Sequence, residues 1–235
     1  MIDSAGHSLY TKKEDIKIHS RRNPMKKLVV LLIISFALVL SLTTTTPAAT
    51  NYVEIMTSSS DWESELSSGS KYGGEFSGVI LGYDLPLNRF RIGLEYLDAK
   101  YKGDDEGDIS GYDFKVGYRI LQSTPYEWVL NVSYGNYKSD EWKIEYDGFC
   151  LGASFYYDIR DKINLETAVS YSLNGSMDVG SKMDANHIAA KLKLNYYFTD
   201  AFGIAAAYRF YQYEVKDNQY KMTAKGFSAG LNYRF

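Results

Sequence analysis

The sequence predicts an all-β protein, a closed, antiparallel, up-and-down transmembrane β-barrel of ten strands, with eight as the alternative count. Three observations lead there. After residue 50, apolar residues recur at every second position over roughly ten residues at a time. Short and long connections alternate between these segments. The composition suits strands, with 22 Tyr and 19 Gly against only 4 Pro. A mean hydropathy of -0.30 excludes a helical membrane bundle. It does not exclude a barrel, in which only alternate residues face lipid.

The chain falls into three regions. Residues 1–24 are polar and carry no apolar period, so we expect an upstream mis-start before Met25 or a disordered extension. Residues 25–49 read as a signal peptide. Lys26 and Lys27 precede an apolar run from Leu28 to Leu42, and small residues follow up to Ala48 and Ala49. That run is shorter than the ~20 residues a membrane-spanning helix needs. Residues 50–235 are the expected barrel domain. Residues 1–49 carry a basic excess, with Lys12, Lys13, Lys17, Arg21, Arg22, Lys26 and Lys27 against Asp3, Glu14 and Asp15, so the barrel itself is net acidic. Such a balance excludes a nucleic-acid partner. A single cysteine, Cys150, excludes an internal disulfide; its phase places it inside, as a small core residue.

The strands are expected at 51–57, 72–85, 89–101, 110–121, 126–138, 148–159, 162–174, 184–199, 202–215 and 222–235. In the eighth, Ile188, Ala190, Leu192, Leu194, Tyr196 and Phe198 share one face, and Ala189, Lys191, Lys193 and Asn195 share the other. The second is less regular, with Val79, Leu81, Tyr83 and Leu85 opposite Gly78, Ile80, Gly82 and Asp84. Connections at 86–88, 122–125, 160–161 and 199–201 are short. Those at 102–109, 139–147, 175–183 and 216–221 are longer and polar, as outer loops are. A barrel with both ends on one side needs an even strand number. The weak segment 51–57 is therefore required as the first strand, with 58–70 as the first outer loop. Trp142, Ile144 and Tyr146 alternate on even numbers and Phe149 to Ile159 on odd ones. This slip predicts a β-bulge at Asp147-Gly148, or a hairpin tip at 139–141.

Three features place the apolar face outward. The other face is rich in Gly, Ala and Ser, which suit a cramped interior. It also carries both charge signs: Arg89, Arg91, Glu95, Lys115, Arg119, Glu166, Lys191, Lys193, Arg209 and Arg234 are expected to form a charge network filling the lumen. Tyr and Trp on the apolar face gather near strand ends, at Tyr96, Trp128, Tyr134, Tyr157, Tyr171, Tyr196 and Tyr233, as interfacial girdles do. Hydrocarbon offers no partner to a free strand edge, so the sheet must close.

In the last strand Phe227, Ala229, Leu231, Tyr233 and Phe235 alternate, with an aromatic third from the end and a terminal Phe. This resembles the C-terminal assembly signal of small bacterial outer-membrane β-barrels of the opacity-type or porin-like class. The resemblance implies an outer-membrane location after export. It also implies recognition by the barrel-assembly machinery, and contact with outer-membrane lipid and lipopolysaccharide.

Little in the sequence points to chemistry. His187, with Asp184 and Ser181 nearby, is the one histidine of the barrel domain. Residues 184 and 187 point to opposite faces of a strand, so His187 is expected as a polar residue at a loop base, with no catalytic role. Asp104, Asp105, Glu106 and Asp108 lack the spacing of a calcium loop and read as a solvated loop, with no metal. No cofactor is implied. The expected function is non-enzymatic: a monomeric, filled or very narrow barrel serving envelope integrity, or surface interaction through its outer loops. The alternatives are a narrow channel for small solutes and a barrel enzyme acting on lipid A or peptides at the outer rim.

Overall fold

A computed structural model describes residues 52–66, 71–102, 107–123, 125–141, 143–178, 181–215 and 220–235. The expected extension, residues 1–24, and signal peptide, residues 25–49, lie outside the described residues. Ten strands follow one another: β1 (Tyr52–Leu66), β2 (Lys71–Leu87), β3 (Phe90–Lys102), β4 (Gly107–Ser123), β5 (Tyr126–Ser139), β6 (Ile144–Arg160), β7 (Ile163–Asp178), β8 (Lys182–Tyr197), β9 (Phe202–Val215) and β10 (Tyr220–Arg234). Each pairs antiparallel with its sequence neighbours. β1 also pairs with β10, from Tyr52↔Arg234 to Leu66↔Tyr220, and closes the barrel. The count of ten is therefore the right one, and eight is not.

We call the end with the connections at 88–89, 124–125, 161–162 and 198–201 the lower end. Around the lower part, alternate residues turn apolar side chains outward, among them Ile55, Val116, Leu130, Val132, Leu151, Val169, Leu192, Leu194, Ile204 and Leu231, all exposed. Outward aromatic rings pack across neighbouring strands at both margins of this belt. Phe90 meets Tyr118 and Phe202 meets Tyr233 below, while Tyr112 meets Tyr134 and Tyr134 meets Phe149 above. Cross-strand pairs of this kind stabilise a sheet by ~0.2–1 kcal/mol each. Tyr83 and Leu85, on the outward face by phase, are buried instead.

The strands run 13 to 17 residues, longer than the ~9–11 that cross a bilayer. Above the belt the pattern inverts. Outward positions become polar: Glu63, Glu75, Asp98, Lys100, Lys138, Glu145, Lys182 and Lys225 are exposed. Inward positions become apolar: Trp62, Phe76, Ala99, Tyr101, Tyr137, Tyr146, Met177, Ala185, Tyr213, Val215 and Met222 form one buried cluster. The barrel thus has two tiers. The lower is apolar outside and polar inside; the upper is the reverse, as in a water-soluble barrel.

The inversion corrects three expectations. β1 continues to Leu66 instead of stopping at residue 57, because Asp61, Glu63 and Glu65 face outward above the belt while Trp62 and Ser64 face in. The outer connections shrink to 67–70, 103–106, 140–143, 179–181 and 216–219. Polar residues assigned to long loops, among them Glu63, Glu145 and Lys182, lie on the outward faces of extended strands. Third, no bulge sits at Asp147-Gly148, and the β5–β6 register runs unbroken from Ser139↔Ile144 to Tyr126↔Tyr157. Tyr146 lies on the inner face of the upper tier and Phe149 on the outer face of the lower, so the apolar phase changes without a change in the backbone. The expected hairpin tip at 139–141 is close to the observed turn at 140–143.

The nearest irregularity lies in the neighbouring strand, β7. Its register shifts near Ser172–Asn174 against both β6 and β8. Side chains take up the interrupted ladder: Asn174 Oδ1 accepts from Phe149 N at 3.3 Å and Ser172 Oγ accepts from His187 N at 2.8 Å. At the lower end, Asn88 makes its tight turn with φ 51°, in the left-handed region that Asn tolerates.

Candidate functional site: the barrel interior

Inward positions of the lower tier meet across the lumen in layers. Nearest the lower end, Arg91 Nε donates to Asp84 Oδ1 at 2.7 Å, and Arg91 Nη1 to Glu127 Oε1 at 3.1 Å. Arg119 Nε reaches the same Glu127 oxygen at 3.0 Å, and its Nη1 donates to the Asn88 carbonyl at 2.6 Å. The Arg91 guanidinium lies over the Tyr156 ring, 3.8 Å from its centre. Arg234 stacks on Tyr197 in the same way, at 3.6 Å.

Lys193 occupies the next layer and is fully buried. Its ammonium lies 2.9 Å from Glu54 Oε2, 3.0 Å from Glu166 Oε2 and 3.0 Å from the Tyr52 hydroxyl. Lys191 holds the other Glu166 oxygen at 2.7 Å. Two ammonium groups thus face two carboxylates, which is the condition under which buried charges are tolerated. Gly82 permits the layer: a Cβ there would lie 2.6 Å from Glu54 Cγ. Higher still, Arg209 pairs with Glu95 and also touches the Ser228 and Tyr211 hydroxyls.

Of the ten charged residues expected in the lumen, these layers bring together Arg91, Arg119, Glu166, Lys191, Lys193, Arg209 and Glu95. Lys115 lines the chamber between the Lys193 and Arg209 layers, and Arg234 lines the lower one. Arg89 is a correction. It sits exposed in the 88–89 turn and donates to the Tyr118 hydroxyl at 3.3 Å, because the strand it was expected to open begins at Phe90. The acidic partners Glu54, Asp84 and Glu127 were not singled out from the sequence. Their inner phase was the available signal: Asp84 alternates with Tyr83 and Leu85, and Glu127 with Trp128. In the C-terminal strand, Phe227, Leu231 and Tyr233 are exposed on the outer face, with Ala229 between them and Phe235 beyond β10.

Three chambers separate the layers. The lower holds about 140 Å³ and is bounded by Arg91, Arg119, Glu127 and Arg234. The middle holds about 120 Å³ among Glu54, Glu95, Asp113, Lys115 and Lys191. The upper holds about 70 Å³ and has apolar walls.

His187 is also a correction. β8 begins at Lys182, so His187 lies well inside the wall, buried, with Nδ1 at 3.6 Å from Cys150 Sγ. Its ring stacks on Tyr213, 4.4 Å between centres at 11°. Asp184 is exposed and Ser181 lies in the connection before β8, so these two do not converge on His187. Asp104, Asp105 and Glu106 lie outside the described residues; Asp108 donates its backbone N–H to Glu141 Oε2 at 3.1 Å. Among the described residues, no group of three His, Cys, Asp or Glu is placed to hold a metal ion.

The closed ladder and its outward apolar belt define the class, a transmembrane β-barrel of the outer-membrane type. No protein-family model matches the chain, and no curated protein matches it. Among solved structures, it is similar to the outer membrane protease OmpT from Escherichia coli, at 14% identity over 81% of this chain and 98% of that one, with a TM-score of 0.48. Neisserial surface protein A is similar at 16% identity over 79% and 97%, TM-score 0.38. So is Ail, the attachment invasion locus protein of Yersinia pestis, at 13% over 79% and 99%, TM-score 0.34.

Proposed function

We propose that this chain is a non-enzymatic barrel of the bacterial outer membrane whose closed interior makes it a structural component of the envelope. One observation carries the reading. Lys193, with no exposed surface, bridges Glu54 and Glu166 from well-separated parts of the wall and so reaches across the lumen. Ten strands enclose little space, and long charged side chains fill it. The short outer connections move the surface role from loops to the projecting wall. The exposed Lys100, Lys138, Lys182 and Lys225 there support contact with the phosphates of lipopolysaccharide. His187 fits the same reading, since its ring is buried among tyrosine rings beside the buried Cys150 thiol, and its Nε2 meets no orienting carboxylate.

The row of three chambers favours a second reading, a narrow conduit interrupted by ion pairs. Planar-bilayer recording of the purified barrel separates the two. The closed reading expects a silent membrane, with steps only when Lys193 and Arg91 are both replaced by alanine; discrete steps from the unaltered protein would overturn it. Fractionation with heat-modifiability on SDS gels tests location. The expected result is a membrane-bound band that shifts on boiling.

A further inference from the structure

The lower chamber is lined by three guanidinium groups, Arg91, Arg119 and Arg234, and reaches the lower rim, where Gln122, Ser123 and Asp158 are exposed. Two of the three have carboxylate partners. Arg91 takes Asp84 and Glu127, and Arg119 takes Glu127 and the Asn88 carbonyl. Asp158, at the rim, accepts from Asn164 Nδ2 at 2.9 Å. The Arg234 guanidinium is left over. It stacks on Tyr197, 3.6 Å from the ring centre, and among the described residues it has no hydrogen bond and no ion pair. Its Nε is enclosed by the wall, whereas Nη1 and Nη2 keep accessible surface.

The charge balance narrows what fits. Inside the rim, Arg91, Arg119 and Arg234 face Asp84 and Glu127, an excess of one positive charge. Counting Asp158 at the rim brings the balance to zero, so a dianion would be poorly compensated. A neutral polar molecule would leave the Arg234 charge unanswered. A stacked guanidinium also holds its planar fork in place, which suits the two oxygens of a carboxylate. A free volume of about 140 Å³ accepts such a group together with water. We propose that the lower mouth binds one small monovalent carboxylate, seated on the terminal nitrogens of Arg234 with the Arg91 and Arg119 charges beside it. The site goes beyond the closed-barrel reading and stands whether or not the barrel conducts.

Saturation-transfer NMR of the barrel in lipid nanodiscs tests this with formate and its neutral isostere formamide, whose C–H signals lie clear of lipid. Empty nanodiscs are the reference. At low ionic strength formate is expected to bind, and formamide to bind about tenfold more weakly. Acetate displaces formate, and inorganic phosphate, held as its dianion, does so no better than acetate. Arg234→Gln keeps a planar polar group over Tyr197 without the charge and is expected to weaken formate binding about tenfold. Gln122→Glu adds a carboxylate at the exposed rim of the same chamber and is expected to weaken it about threefold. Heat-modifiability checks that each variant is folded; if Arg234→Gln is not, Gln122→Glu and the probe ranking in the unaltered protein decide. No transfer beyond empty nanodiscs, equal binding of formate and formamide, phosphate outcompeting acetate, or formate binding unchanged in either folded variant would each overturn the proposal.

Discussion

Replacing Lys193 by methionine leaves Glu54 and Glu166 in a buried layer with one of their two ammonium partners gone. Breaking a buried pair in this way costs about 3–5 kcal/mol. Urea titration of the folded barrel in vesicles is expected to show that loss. Arg89→Ala, at an exposed turn, is expected to move the same midpoint by no more than ~0.5 kcal/mol. The contrast separates the residues that join across the lumen from the one that does not. At this scale the sequence was half legible. Alternation marked Lys193 and Glu166 as inner residues, since the strands around them carry clean apolar partners at every second place. It did not show which acid meets which base. Glu54 lies 139 positions from Lys193, and only the register of the closed sheet sets them side by side.

At the scale of an element, β7 departs most from regularity. Its bulge hands two ladder positions to side chains, so Ser172→Ala removes the acceptor of the His187 amide. We expect about 1–3 kcal/mol of destabilisation from the orphaned donor, together with faster hydrogen exchange at His187 than at Leu192 further along β8. The upper lengths of the strands were the least legible elements. Outward Asp98, Lys100 and Lys102 in β3, or Glu145 and Asp147 in β6, look like loop because polarity there carries no sign of side. The sign was nonetheless present in the residues between. Leu97, Ala99 and Tyr101 continue an apolar period one position out of step with Phe90 to Tyr96. The same step recurs at Tyr213 and Val215 in β9 and at Met222 in β10. Read once, at Tyr146, the step resembled a bulge. Read across several strands, it marks a level in the membrane.

For the whole molecule, that level is testable. Leu192→Arg falls in the middle of the belt and is expected to cost about 2–4 kcal/mol on refolding into bilayers. Asn136→Arg, on the outer face above the belt, is expected to cost close to nothing. Equal costs at the two sites would put the boundary elsewhere. The strand number and the lower faces were readable because lipid outside and charge inside impose opposite chemistry on neighbouring residues. The upper tier obeys water instead, with an apolar cluster inside it where the lower tier has ion pairs. The inverted tier also bears on how the barrel reaches its place. A chain arriving from the lower side must carry Glu63, Asp98, Lys138 and Glu145 through hydrocarbon before any of them reaches water again. No such crossing exists in a micelle. Folding is therefore expected to be quick in detergent and slow in sealed vesicles, with the delay removed when defects thin the bilayer.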